Sequence, residues 1–530
     1  MKHRCFSRLT SGLLVISMLL TGCTTGSSPE KTVDETEQPT VSTDVTDTSE
    51  PRKDIRYLSY SHEYTTDTNQ LLLSLSYIYP SLTLPGQEQA ADNINSYFED
   101  DLEDFKAFGH DTLLPEATSF CRENSDDFSS YDSYRYYELM RCDNRLISFL
   151  YTSNNYYGYN GSDYNLQGIS FDGTTGEVLS LTDLTSDMDA FSESVLSYIL
   201  NQLKRPCYAD ELKYAPSDCA DLIRQEVLTD GNWYVSSAGI CIIVPAGLLT
   251  ESEWENLQFT IPYQQLNGLA VAYEYDGPFE MVGPLGTTLT ADIDSNGDAD
   301  AIYFDAVYDE ESYSIRATLT VNGDNYSHLL NNDTCMLTDG ATYGLDYYLI
   351  DLDTSDPYIE LAIQDNGMSD DPITHFFRYK DFELEYMGSI SDLISSSSFR
   401  WDGSGTFTCD LPLSLMLTIN VTSAYEIRKD QIRPVKQDWY ELDLSMIPLD
   451  MQSNDILENF TAYTEMSRRS ETVTLAPSNG AVTFTGTDNE HWVSFLTESG
   501  ETYYLYLTDF STLESGQYTY EVFDTLYLVG

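Results

Sequence analysis

The chain has 530 residues, 41% of them hydrophobic, enough for about three domains with cores of their own. Lys and Arg number 26 against 87 Asp and Glu, a formal charge of −61, which excludes nucleic acid as a partner because phosphate binding needs the opposite sign. The same charge suits divalent cations and basic partners.

Residues 1–23 read as a signal peptide. Lys2, Arg4 and Arg8 form a basic start, and the apolar stretch 13–20 is too short for a stable membrane span. Leu20-Thr21-Gly22-Cys23 follows as a lipobox, in which small residues precede a cysteine that is diacylated and becomes the new N-terminus. Two acyl chains hold a protein at a membrane where one is marginal. The chain is therefore expected as a lipoprotein on the extracellular face of the bacterial cytoplasmic membrane, anchored through Cys23. Residues 24–54 lack aromatics and are rich in Thr, Ser, Glu, Asp and Pro, so they read as a disordered tether.

Residues 55–275 alternate strand and helix signals, which predicts an α+β domain. The run 71–79 alternates as a strand, with Pro80 and Pro85-Gly86 expected to end it. Over 87–107, Ala90, Ile94, Tyr97, Phe98, Leu102 and Phe105 fall on one helical stripe. Gly173-Thr174-Thr175-Gly176 reads as a hairpin turn, 189–203 as an amphipathic helix, and 233–235 with 239–244 as a β pair.

Several ordered motifs here resemble the extracellular domain shared by RsiV-type anti-sigma factors and PdaC-type peptidoglycan deacetylases. They are Tyr77-Ile78-Tyr79-Pro80 with Ile94-Asn95, then Ile169-Ser170-Phe171-Asp172-Gly173-Thr174-Thr175-Gly176, and Gly239 to Val244 with Ile261-Pro262-Tyr263. The family's Gly-Ala-His-type loop is replaced by Tyr159-Asn160-Gly161-Ser162-Asp163-Tyr164, and the deacetylase's Asp-Asp pair and His-x-x-x-His set are missing. The resemblance thus implies a binding or sensing module. A basic envelope-active protein such as lysozyme, or wall glycan or peptide, is the implied partner.

Residues 280–460 carry the most chemical motif. Asp292, Asp294, Asn296, Asp298 and Asp300 place oxygen ligands at positions 1, 3, 5, 7 and 9, with Gly297 at position 6 for a sharp turn. Tyr303 stands where an EF-hand needs its bidentate Glu, and Ala301-Ile302-Tyr303-Phe304 reads as a strand, so this is no EF-hand. It resembles the loop-strand calcium motif of FG-GAP/VCBS-type β-propeller repeats. A second copy offers Asp351, Asp353 and Asp356, and the first aspartates, 292 and 351, stand 59 positions apart. Trp401-Asp402-Gly403-Ser404-Gly405-Thr406-Phe407 is a degenerate third. The resemblance implies propeller-like β repeats with structural Ca²⁺. His375, alone on a strand, reads as a packing residue.

Residues 465–530 hold short strands at 472–475, 482–484, 492–496, 502–507 and 518–523, expected to form a small β-barrel resembling a bacterial SH3 domain. Seven cysteines remain once Cys5 leaves with the signal and Cys23 is lipidated, an odd number that leaves at least one free. Cys207 with Cys219, and Cys121 with Cys142, are candidate pairs; Cys241 lies in an apolar run and reads as a buried thiol. The chain has no Gly-x-Ser-x-Gly elbow, no His-Glu-x-x-His and no phosphate-binding loop. No catalytic residue is assigned. The expected function is a non-catalytic, lipid-anchored extracellular binding or sensing protein of the cell envelope. The alternative is a hydrolase of wall polysaccharide or peptidoglycan, or an accessory subunit of one.

Overall fold

The computed structural model describes residues 54–124, 128–158, 161–205, 208, 212–252, 256–309, 314–330, 332, 335–338, 346–367, 372–396, 398–413, 415–416, 420–442 and 452–524. The signal peptide, Cys23 and the tether up to residue 53 lie outside them, as does Cys207. Among the described residues no helix is long and apolar enough to cross a membrane.

Apolar residues at every second position give β2 (Leu71–Thr83) a face to bury, and β1 (Asp54–Thr65) pairs antiparallel along its edge. The chain then crosses over through α1 (Glu88–Phe108), a π-helical turn at Gly109–Leu113 and α2 (Leu114–Glu123). It returns as β3 (Tyr131–Cys142), which lies parallel to β2, an arrangement that needs such a crossover. β4 (Leu146–Tyr156) and β5 (Ser162–Asp172) complete a sheet in the order β1-β2-β3-β4-β5. α1 buries Ile94, Phe98, Leu102 and Phe105 against it. Its Asp101 accepts hydrogen bonds from Tyr77 and Tyr137 hydroxyls at 2.6 and 2.8 Å and pairs with Arg135 at 3.2 Å, so the aromatic core carries a satisfied polar centre. β2 does not stop at Pro80. β3 pairs only with Leu73–Ile78, so at Pro80 the strand has one neighbour, and a missing N–H is tolerated there.

The expected turn forms after β5, where Asp172 Oδ1 accepts from the N–H groups of Thr174 and Thr175. Beyond the short α3 (Leu181–Leu184), α4 (Met188–Gln202) packs on a three-stranded sheet, β6 (Trp233–Val235), β7 (Gly239–Val244) and β8 (Leu257–Pro262). This layer touches the first sheet closely. A Cβ on Gly168 would sit 1.9 Å from the carbonyl oxygen of Trp233, so only glycine fits.

Three antiparallel meanders follow. The first is β10 (Thr287–Ala291), β11 (Asp300–Asp309), β12 (Ser314–Val321) and β13 (Asp324–Asn325). The second is β14 (Asp346–Ile350), β15 (Glu360–Asp365), β16 (Ile373–Lys380) and β17 (Glu383–Ile390), with β9 (Glu280–Pro284) added at the β14 edge. The third is β18 (Arg400–Trp401), β19 (Thr406–Pro412), β20 (Asn420–Ile427) and β21 (Ile432–Pro434).

The last sheet has seven strands: β22 (Tyr440–Glu441), β23 (Asn454–Asp455), β24 (Phe460–Tyr463), β25 (Thr472–Leu475), β26 (Ala481–Thr487), β27 (Trp492–Thr497) and β28 (Thr502–Tyr506). It draws strands from both sides of residue 465. The described strands thus form several separate sheets, α+β first and mostly β after, and none closes on itself. Residues 518–523 are not a strand. Thr519–Val522 is a short helix with Thr519 and Val522 buried, and Glu521 accepts from the Tyr518 N–H. The apolar spacing there is three, not two. Cys121 and Cys142 are not paired with each other. Among the described residues no disulfide joins Cys121, Cys142, Cys219, Cys241, Cys335 or Cys409, and Cys121 donates to Gln70 instead.

Glu280 opens β9 and is 5% exposed; burial lifts its pKa to about 7, from an ordinary 4.5. The folded chain therefore holds a proton that the unfolded chain releases between about pH 4.5 and 7. The stability tied to this group is full below that window and falls as pH rises through it, by roughly 3 kcal/mol. His375 works the other way: burial lowers it to about 4, so stability is lost as pH falls from 6.5 toward 4. Glu280→Gln is expected to flatten the fall in stability between pH 5 and pH 7.5, read as urea midpoints at the two pH values. An unchanged slope would place the titration elsewhere.

Candidate acidic-loop site

Each meander opens the same way, with an acidic loop between its first and second strands. In the first, residues 292–299 join β10 to β11. Asp292 gathers the loop: Oδ1 accepts from Asn296 N at 3.0 Å and Oδ2 from Gly297 N at 2.9 Å. Gly297 has φ of +96°, and a Cβ there would meet nothing within 4 Å, so backbone conformation selects the glycine. Asp300 is buried at the head of β11. Its Oδ2 accepts from Ile293 N at 3.0 Å and its Oδ1 from Asn322 Nδ2 at 2.6 Å.

An oxygen each from Asp292, Asp294 and Asp300 lie within 4.8 Å of one another. Three carboxylates this close repel unless a cation sits among them. Together they offer up to six oxygens, which fits a hard ion. Asp298 is exposed and is not among these three; Asn296 is exposed too, and its side chain accepts from Asp298 N at 2.8 Å, shaping the turn.

The second loop, between β14 and β15, is built alike. Leu352 N donates to Glu360 Oε2 at 3.1 Å, as Ile293 N does to Asp300. Glu360 thus takes the place of Asp300, at the head of β15 and fully buried. Here a protein cation fills the centre. Arg378 of β16, 3% exposed, bonds Glu360 through Nε at 2.8 Å and through a second nitrogen. Its remaining arm reaches Asp356 at 2.9 Å and Asp430 at 2.8 Å. Burial works against the Arg378 charge, and Glu360, Asp356 and Asp430 overcome it, so its pKa is raised.

Asp356 is therefore committed to an arginine. Asp353 accepts from Ser355 N and Oγ at 3.1 and 2.6 Å. Asp351 keeps a buried Oδ1 without a hydrogen bond; burial, then Asp356 and Asp353, raises its pKa. Among the described residues, Asp351, Asp353 and Asp356 do not form a three-ligand group.

The third loop, 402–405, carries Asp402 alone among carboxylates and accepts from Ser404 N at 3.1 Å. The three loops dock in a row. Ile359 N bonds Ile293 O at 3.0 Å, and Gly405 N bonds Leu352 O at 2.9 Å. Sequence reasoning missed Arg378, Glu360 and Asp430. The available signal was Glu360, which opens its strand as Asp300 does. His375 is buried and neutral, with its Nδ1 3.3 Å from the Tyr386 hydroxyl, in keeping with a packing role.

No family model matches this chain, and neither does any curated protein. Among solved structures it aligns with a DUF3298 family member from Bacteroides fragilis, over 42% of this chain and 97% of that one, at 13% identity and a TM-score of 0.33. It also aligns with a DUF3298 family protein from Pseudomonas aeruginosa, over 41% of this chain and 94% of that one, at 15% identity and a TM-score of 0.29.

Proposed function

We propose that the chain is a non-catalytic, lipid-anchored binding or sensing protein on the extracellular face of the bacterial cytoplasmic membrane, with structural calcium in the 292–300 loop. The observation that carries the anchored reading is the lipobox at Leu20-Thr21-Gly22-Cys23 with about 30 tether residues behind it. Extended, such a tether spans on the order of 100 Å, enough to present folded units within the wall. Residues 55–275 carry the resemblance to the RsiV/PdaC-type domain, and the excess of acid suits a basic partner such as lysozyme; wall glycan or peptide is the other candidate ligand.

Calcium is supported by the converging carboxylates of Asp292, Asp294 and Asp300, and by the sister loop, where a guanidinium bonds Glu360, the counterpart of Asp300. Three four-stranded meanders, each opening with an acidic loop, support the likeness to FG-GAP/VCBS-type repeats. The ion's role is structural. Loop one hydrogen-bonds loop two through Ile293, so a cation there stiffens the row of loops rather than touching a substrate.

Cys23→Ala is expected to move the protein from the membrane pellet to the soluble fraction of fractionated cells. Continued retention in the pellet would overturn the anchor.

A further inference from the structure

A second polar centre lies away from the acidic loops. A cavity of about 170 Å³ separates the end of β3, the β6–β7 turn and β9 from the strand pair that begins at Arg400. One water needs about 10–15 Å³ on this measure, and drug-sized pockets run to about 300–1,000 Å³, so the space suits a molecule of a few heavy atoms.

Above about pH 7, where Glu280 ionises, its walls hold charge of both signs, and the carboxylates of Asp392 and Asp410 act on Arg400 only through space. Glu280 lines it, nine-tenths buried; Ser237 bonds its carboxyl, yet Oε2 has no partner. Trp401 also lines it, with Nε1 buried and lacking an acceptor. Arg400 spends two nitrogens on backbone oxygens, those of Phe399 at 2.9 Å and Leu139 at 3.3 Å, and pairs with no carboxylate among the described residues. Burial pushes its guanidinium below the ordinary value. The other arginine on the wall, Arg141, is consumed by Asp143 at 2.6 Å and by Tyr263 at 2.8 Å. The cavity therefore presents donors seeking an anion and an acceptor seeking a cation. Buried polar groups left in this state each cost free energy that a matching ligand recovers.

We propose that this cavity binds a small zwitterion of the α-amino-acid class, its carboxylate held by Arg400 and the Trp401 Nε1–H, its ammonium by Glu280. A simple anion would leave Glu280 unpaired, a simple cation would leave Arg400 and Trp401 unpaired, and a neutral molecule would neutralise neither end. The site stands apart from the cation loop and does not depend on it.

The test is calorimetric titration of the full chain in detergent with glycine, L-alanine and D-alanine, set against N-acetylalanine and alanine amide, which each keep one charge. At least one zwitterion is expected to bind saturably, and both capped forms at least tenfold more weakly. Glu280→Gln and Trp401→Phe are each expected to weaken binding tenfold or more. Absence of saturable binding by all three amino acids would overturn the proposal, as would a capped form binding as tightly as its parent. If either variant fails to fold, the comparison of parent and capped ligands on the unaltered chain decides by itself.

Discussion

Replacing Arg378 with alanine is expected to destabilise the chain by about 3–5 kcal/mol, the largest effect of any single change at the acidic loops. The reason lies in what is left behind. Glu360 is fully buried at the head of β15 and receives two of the arginine's bonds, while Asp356 and Asp430 share the third nitrogen. Without the guanidinium, Glu360 must either ionise alone in a dry interior or take up a proton. Lysine should rescue only in part, since a point charge cannot span three carboxylates as the planar fork does. Pairing Arg378→Met with Glu360→Gln should recover much of the loss, because the stranded charge goes with it. Urea unfolding of the four proteins measures this. An Arg378→Ala protein within about 1 kcal/mol of the parent would mean that the pair is solvated, as surface pairs are.

The second large effect is calcium stabilisation through the first loop. Extracellular calcium modules bind with dissociation constants of about 10⁻⁴–10⁻³ M. At ten to a hundred times that concentration, binding only to the folded chain adds about 1.4–2.7 kcal/mol. Melting curves in calcium should therefore sit several degrees above curves in EDTA. Asp294→Asn is the cleanest probe. Its carboxylate joins the three-oxygen group, yet its one backbone bond in the loop is a long 3.2 Å contact from Asn296 N. That variant should lose the calcium increment while matching or exceeding the parent in EDTA, because one repelling charge is gone. Asp356→Asn should keep the increment, since Asp356 serves Arg378. Identical curves for the parent in calcium and EDTA would overturn the calcium assignment.

What could be read in the sequence was local. The stripe at 87–107 corresponds to α1 (Glu88–Phe108) and that at 189–203 to α4 (Met188–Gln202), because a helix's buried face is written at its own period. The turn at 173–176 and the nine-residue loop beginning at Asp292 were visible for the same reason: their hydrogen bonds run between near neighbours. The continuation of β2 past Pro80 was hidden, since the rule about proline depends on which strands flank it. The centre of the second loop was hidden as well. Arg378 meets Glu360 from 18 residues away and Asp430 from 52, across two strand registers that no short motif encodes. Counting aspartates made that loop a second calcium candidate; only tertiary packing reveals a guanidinium among its acids. The cavity at Glu280 and Trp401 is likewise assembled from distant segments.

The central claim is that the chain captures a ligand outside the membrane and does not turn it over. Calorimetric titration of the calcium-loaded chain with lysozyme and with soluble peptidoglycan fragments, followed by mass analysis of the fragments, tests it most directly. Saturable heat with at least one of them, and fragments of unchanged mass, is the expected result. Shortened fragments, or no heat with either ligand, would contradict it.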